Sequence, residues 1–201
     1  VEVAAFADIL TMKEALEFDR EIHTNEDFML TSCCCPLWIS LIRKVYTTLI
    51  PHVPGTVSPM VACGRVIKQL HKDALTVFIG PCTAKKMEFQ KESVRPFIDS
   101  VITFEELQAL IDSRDFEVSE LEESHLDNAS YFGRIFARSG GLTDAVAQGL
   151  KEHGITDFNY KPVSCDGIEA CRVALLKATK GVLPNNFIEG MACINGWIGG
   201  G

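Results

Sequence analysis

The chain has 201 residues, 47% hydrophobic and 23% charged, with a net charge of -8 and a pI near 5.1. That length fits one domain of ordinary size or two small lobes sharing a cleft, and a chain this apolar buries a core. The acidic balance excludes a nucleic-acid binder built on a basic face, and the longest apolar runs are far too short to cross a bilayer.

In chain order, Thr11 to His23 has helical spacing, with Met12, Ala15, Leu16 and Ile22 near one stripe. FMLTS (28–32) reads as a short buried strand. Pro36 suits the first turn of a helix that continues through LWISLIRKVYTTLI (37–50) with an apolar face. Prolines and a glycine make PHVPGTVSP (51–59) a loop, and Pro59 opens a second helix over 60–72. ALTVFIG (74–80) is a continuous apolar run of strand length, ended by Pro81 and Cys82, and FIDSVITF (97–104) is another strand. Thr103, with Glu106 three residues on, forms a capping box for the helix over 104–114. SELEESHLD (119–127) is a solvated acidic loop, GRIFARSGG (133–141) reaches a tight turn, and the helix that follows stops at Gly154. FNYKPVSC (158–165), GIEACRVALLKATKG (167–181) and FIEGMAC (187–193) give strand, helix and strand. Such alternation, with runs apolar on both faces, predicts an α/β fold of two lobes, each a mostly parallel sheet flanked by helices.

Eight cysteines, at 33, 34, 35, 63, 82, 165, 171 and 193, are the informative excess. No charged-then-apolar leader precedes Val1, which points to a cytoplasmic chain whose thiols serve metal or redox chemistry rather than disulfides. Cys33–35, Cys82, Cys165 and Cys193 fall at the carboxyl ends of predicted strands, the edge where open α/β sheets place ligands. The expectation is therefore a metal cluster in the cleft at those ends. The bland alternative for any single thiol is a buried apolar side chain, and Cys63, inside a helix, fits it.

TSCCCPLW (31–38), GPCTAKKME (80–88) and EGMACINGWIGGG (189–201), in that order, resemble the signatures TSCCPxW, MPCxxKxxE and ExMxCxxGCxxGGG of the [FeFe]-hydrogenase catalytic domain. Similarity extends along nearly the whole chain. The resemblance implies reversible oxidation of H2 to protons and electrons at an H-cluster, a [4Fe–4S] cluster joined to a diiron unit carrying CO, cyanide and a dithiolate. It implies that Cys35, Cys82 and Cys193 ligate the [4Fe–4S] cluster, that Lys85 binds a cyanide, and that Met191 packs on the diiron unit. Ser58, Pro59, Pro81 and the Gly140–Gly141 turn would wall the pocket. A proton relay would run from Glu14, the outer group reached by water, through Glu17 to Cys34, with Glu88 buried nearby. A spacing of three puts the two glutamates on one helix face, and a thiol can hand on protons because its pKa moves with its surroundings. Pro54 stands at the relay's usual serine, so Thr56 or water would substitute, while Lys86 reads as a surface charge. No CxxCxxCxxxCP run is present, so no accessory ferredoxin-like domain is expected over residues 1–201. Electrons would come from an external ferredoxin-like carrier, and hydrogenase maturation proteins would supply the diiron unit. No nucleic-acid or membrane partner is expected. The abrupt ends read as cuts through a larger fold, completed by an oligomer or a partner chain.

The sequence also departs from the family pattern. Gly80 replaces the methionine of MPC, and Cys33 replaces the serine of TSCC. The family's leading strand and helix are missing before Val1. Trp197 occupies the fourth cysteine position, the one whose sulfur joins the two halves of the H-cluster. That last departure favours two competing readings, a non-catalytic [4Fe–4S] relative of the iron–sulfur assembly type and an H2-sensing domain. The segments around Cys165 and Cys171 resemble sensory branches of the family, although a structural role for both thiols is the preferred reading.

Overall fold

The structure, a computed structural model, describes residues 1–24, 26–114, 117–155 and 159–200. Phe158, in a predicted strand, and Gly201, the last glycine of the third motif, lie outside the described residues. Strands β1 (Met29–Leu30), β4 (Pro162–Asp166) and β5 (Phe187–Met191) form a parallel sheet in the order β1-β5-β4. Strands β2 (Val77–Ile79) and β3 (Ser100–Ile102) form a second parallel pair. Central β5 is buried at all five residues, as a doubly covered parallel strand should be. β2 differs from expectation: Phe78 points inward, but Val77 and Ile79 are 51% and 42% exposed, so this smaller sheet is covered on one face only.

Helix α1 (Ala4–Glu21) starts seven residues before the predicted stretch. Its buried stripe is Ala7, Leu10, Thr11, Glu14, Ala15 and Phe18, which leaves the predicted core residue Leu16 nearly half exposed. Asp8 holds this early part by accepting the backbone N–H and hydroxyl of Ser130. Helix α2 (Pro36–Val45) ends before the predicted Ile50 and gives way to a 3-10 segment over Thr47–His52. Pro51 supplies no N–H and disfavours helical backbone at Ile50, and two β-branched threonines precede it. The remaining helices are α3 (Pro59–Leu70), α4 (Lys85–Glu88), α5 (Phe104–Asp112), α6 (Tyr131–Ile135), α7 (Gly141–Glu152) and α8 (Ile168–Thr179). The predicted capping box of α5 is formed in both directions. α4 and α6 have no counterpart among the predicted helices, because one or two turns are too short to show a period.

Two apolar cores result. The larger gathers Phe18, Leu30, Trp38, Ile42, Phe187 and Ile188 around the three-stranded sheet, and the smaller gathers Met60, Val61, Phe78, Val94, Ile98 and Val101. Helix α1 packs on α6 and α7 and also on α3, so it runs across both lobes. Gly190 in β5 makes one close approach possible: a Cβ there would lie 2.2 Å from the Trp38 ring. Trp38 in turn donates its indole N–H to the Thr31 carbonyl at 2.7 Å, fastening the loop after β1 to the central strand. No helix among the described residues is long and apolar enough to cross a membrane.

Candidate metal centre

Each of the three motif loops leaves the carboxyl end of a parallel strand and closes on its cysteine. After β1, Ser32 takes a left-handed backbone (φ 66°), rare for a residue with a side chain, and its carbonyl accepts the Cys35 N–H at 2.9 Å. Pro36 then starts α2 directly behind Cys35. After β2, the Cys82 carbonyl accepts the Lys85 N–H at 3.2 Å. After β5, the Cys193 carbonyl accepts the Gly196 N–H at 3.1 Å, with Asn195 left-handed and its N–H held by Asp166.

Cys35, Cys82 and Cys193 line one small cavity with Pro36, Met191 and Trp197. A Cβ at Gly200 would meet Cys193 Sγ at 3.4 Å and Cys82 Sγ at 3.8 Å, so glycine keeps open a space between two of the sulfurs. Burial raises the Cys193 thiol pKa, and the neighbouring Cys35 and Cys82 sulfurs raise it further, so a negative charge on Cys193 would be stabilised by a cation among the three. Among the described residues no three Cys, His, Asp or Glu side chains close around a single ion.

Beside this cavity lies a buried polar knot. Lys85 is fully buried; its ammonium donates to the Cys34 carbonyl at 2.9 Å and to Glu88 at 2.5 Å. Glu88 also accepts the Ser58 hydroxyl at 2.8 Å. The Trp197 ring sits over the ammonium, 4.5 Å from its centroid. Trp197 is held edge-on to Phe136, and its backbone N–H donates to Ala137 at 2.9 Å. Its indole N–H is buried without a partner. On its other side Trp197 borders an apolar cavity of about 160 Å³ with Pro59, Gly80, Pro81 and Phe104. Gly80 itself has little spare room, because a Cβ there would lie 2.8 Å from the Phe78 ring.

The two glutamates of the predicted relay stand in the reverse of the expected order. Glu14 is 3% exposed and accepts the Thr31 hydroxyl, whereas Glu17 accepts the Gly55 N–H at 3.3 Å and opens on a cavity of about 360 Å³ lined also by Asp27, His52 and Pro54. The reason is the helix stripe: Glu14 lies between Leu10 and Phe18 on the buried face, and Glu17 lies at its margin. Burial pushes the Glu14 carboxyl up to about 7, against the lowering effect of the Thr31 hydrogen bond. Cys34 is buried, and its thiol pKa is raised well above the ordinary value by burial while Lys85 pulls it down. Cys33 donates to the Pro54 carbonyl at 3.4 Å, and the Thr56 hydroxyl is buried without a partner.

Cys171 directs its sulfur at the carbonyls of Met191 (3.5 Å) and Cys165 (3.8 Å), Cys63 is buried in α3, and Lys86 pairs with Glu106 at the surface. Two polar residues within the motifs have roles that their pattern in the sequence does not reveal. Thr31 is the hydroxyl on Glu14. Glu189, fully buried in β5, accepts from Gly140 N–H, Thr143 N–H and the Thr143 hydroxyl, tying the Gly140 turn and the start of α7 to the sheet. An acid inside a strand that is otherwise apolar was the available signal for Glu189.

The family profile for the C-terminal domain of the iron-only hydrogenase large subunit matches residues 1–201. Iron hydrogenase 1 of Clostridium pasteurianum is 30% identical over 97% of this chain and 41% of that protein. Cytosolic iron-sulfur assembly component 3 of Bos taurus is 27% identical, over 86% of this chain and 46% of its own length. A solved variant of [FeFe]-hydrogenase HydA1 from Chlamydomonas reinhardtii superposes with a TM-score of 0.75 at 21% identity, covering 100% of this chain and 69% of that one. The chain thus spans about half the length, or less, of these two curated relatives.

Proposed function

The chain belongs to the family of iron-only hydrogenase C-terminal domains, and from that premise we propose that it holds a [4Fe–4S] cluster through Cys35, Cys82 and Cys193 and exchanges electrons with a separate carrier. The observation that carries this reading is the convergence of three thiols on one cavity, with Gly200 leaving space between two of them. Their donor set fits the group: thiolates are the usual ligands of such clusters. When bound, such a cluster supplies one-electron transfer at a potential set by its surroundings. Trp38, Pro36 and the turn closed on Ser32 hold Cys35 rigidly, and the partly exposed Cys193 marks the side nearest an incoming carrier.

The diiron unit does not fit the residues present. Indole has no lone pair with which to bridge two metal groups, and the Trp197 ring covers the Lys85 ammonium, the expected cyanide partner, at 4.5 Å. No hydrogen-forming step is therefore derived for the chain with Trp197 in place. Reversible H2 oxidation is the second reading, and the buried Glu14–Thr31 pair near Cys33 and Cys34 favours it, because a carboxyl titrating near neutrality suits proton supply. In that reading Glu17 is the outer group and Glu14 the inner one. A cytoplasmic location remains part of the proposal. It is supported by eight free cysteines, whereas the relatives' names include both periplasmic and cytosolic proteins.

Anaerobic reconstitution tests the first reading. About four irons per chain are expected, one cluster's worth, with loss of iron on replacing Cys35, Cys82 or Cys193 by serine and none on Cys63→Ser. Equal loss at Cys63 refutes the ligand set. Infrared spectra after incubation with hydrogenase maturation proteins separate the two readings: the first requires that no CO or cyanide stretches appear.

A further inference from the structure

We infer that Trp197 leaves one corner of the proposed cluster without a protein ligand, and that this corner is a binding site for a small exogenous thiolate. The inference rests on the three-cysteine reading above. A four-iron cube needs four ligands, and the cavity holding the three thiols offers no fourth of the same kind. The indole nitrogen of Trp197 is a donor with no free lone pair.

None of the other five thiols lines this cavity, and Cys165 is buried in β4. Cys33 donates to Pro54, Cys171 faces the carbonyls of Cys165 and Met191, and Cys63 lies in a helix of the smaller lobe. The Cys34 sulfur is under the influence of Lys85 and lies outside the cavity lining. The one other soft donor in the lining is the Met191 thioether, a weak neutral ligand for iron beside thiolates. Pro36, Leu37, Ala84, Ala192 and Gly196 complete the wall, and the partly exposed Cys193 keeps one side near solvent. A thiolate is a soft anion that matches the metal.

The test uses the reconstituted chain and electron paramagnetic resonance. In wild type, ferricyanide takes one electron from the cluster, and one ferrous ion leaves from the corner without a cysteine. A three-iron signal appears, and bound iron falls by about a quarter, one iron of the usual four. In a separate sample without ferricyanide, excess 2-mercaptoethanol binds that corner through its thiolate and alters the signal of the dithionite-reduced cluster. Trp197→Cys, which supplies the fourth thiolate, should resist ferricyanide and ignore added thiol. Titrating thiol into wild type alone remains decisive if that variant folds poorly. A wild-type cluster that keeps its iron and its spectrum unchanged by thiol overturns the inference, and Met191→Leu then identifies the thioether as the internal ligand if it makes the cluster labile. A chain that binds no four-iron cluster at all refutes the proposed function instead, so the two failures are distinguishable.

Discussion

Glu14→Gln isolates the energetic consequence of a carboxyl buried on the core face of α1. Burial raises this group from 4.5 to about 7, and it is 3% exposed, so solvent screening does little to reduce the effect. At about 1.4 kcal/mol per unit, the shift amounts to about 3 kcal/mol. Because the folded carboxyl holds its proton more tightly than the unfolded one, its contribution is fully present below pH 4.5 and is lost as pH rises through about 7. Glutamine keeps an oxygen for the Thr31 hydroxyl and cannot ionise. Urea unfolding at half-unit steps should therefore show the two chains equally stable near pH 4 and the glutamine chain more stable by about 3 kcal/mol near pH 8. Parallel stability curves between pH 5 and 8 would refute the argument, and would mean that water reaches Glu14 in solution.

Lys85→Met leaves Glu88 charged in a dry site and should cost about 3–5 kcal/mol in urea unfolding, partly recovered by adding Glu88→Gln. Gly190→Ala drives a methyl into the Trp38 ring and should lower stability by about 1–3 kcal/mol, with a change in Trp fluorescence that a surface alanine would not produce. Cys34→Ala should leave iron content unchanged, since its sulfur is outside the cavity of the other three. Iron loss there would shift the ligand register by one residue.

The architecture was legible because its signals are periodic or local. Strand-length apolar runs gave β5 and the position of β2, and the Thr103–Glu106 pair gave the start of α5. The three motifs group Cys35, Cys82 and Cys193 by pattern, and parallel strands bring them together in space. The order of Glu14 and Glu17 was not legible, because a spacing of three tells that two residues share a face but not which lies nearer its centre. Phe18 was likewise missed as core and Leu16 wrongly included, since the true stripe of α1 begins at Ala7, ahead of the predicted segment. The Trp197–Lys85 contact joins residues 112 positions apart in different motifs, and only the closed fold reveals it.

Cys35 and Cys193 ride on loops from the three-stranded sheet, and Cys82 rides on the loop from the two-stranded one. Any body gripped by all three sulfurs is therefore also a rivet between the two cores. The smaller core, with six buried apolar residues and a strand half open to water, has little cohesion of its own. Loading the metal should slow protease cleavage in the small lobe, around β2, more than it slows cleavage of α8. The pattern of cuts would then read out occupancy without reference to any spectrum or turnover.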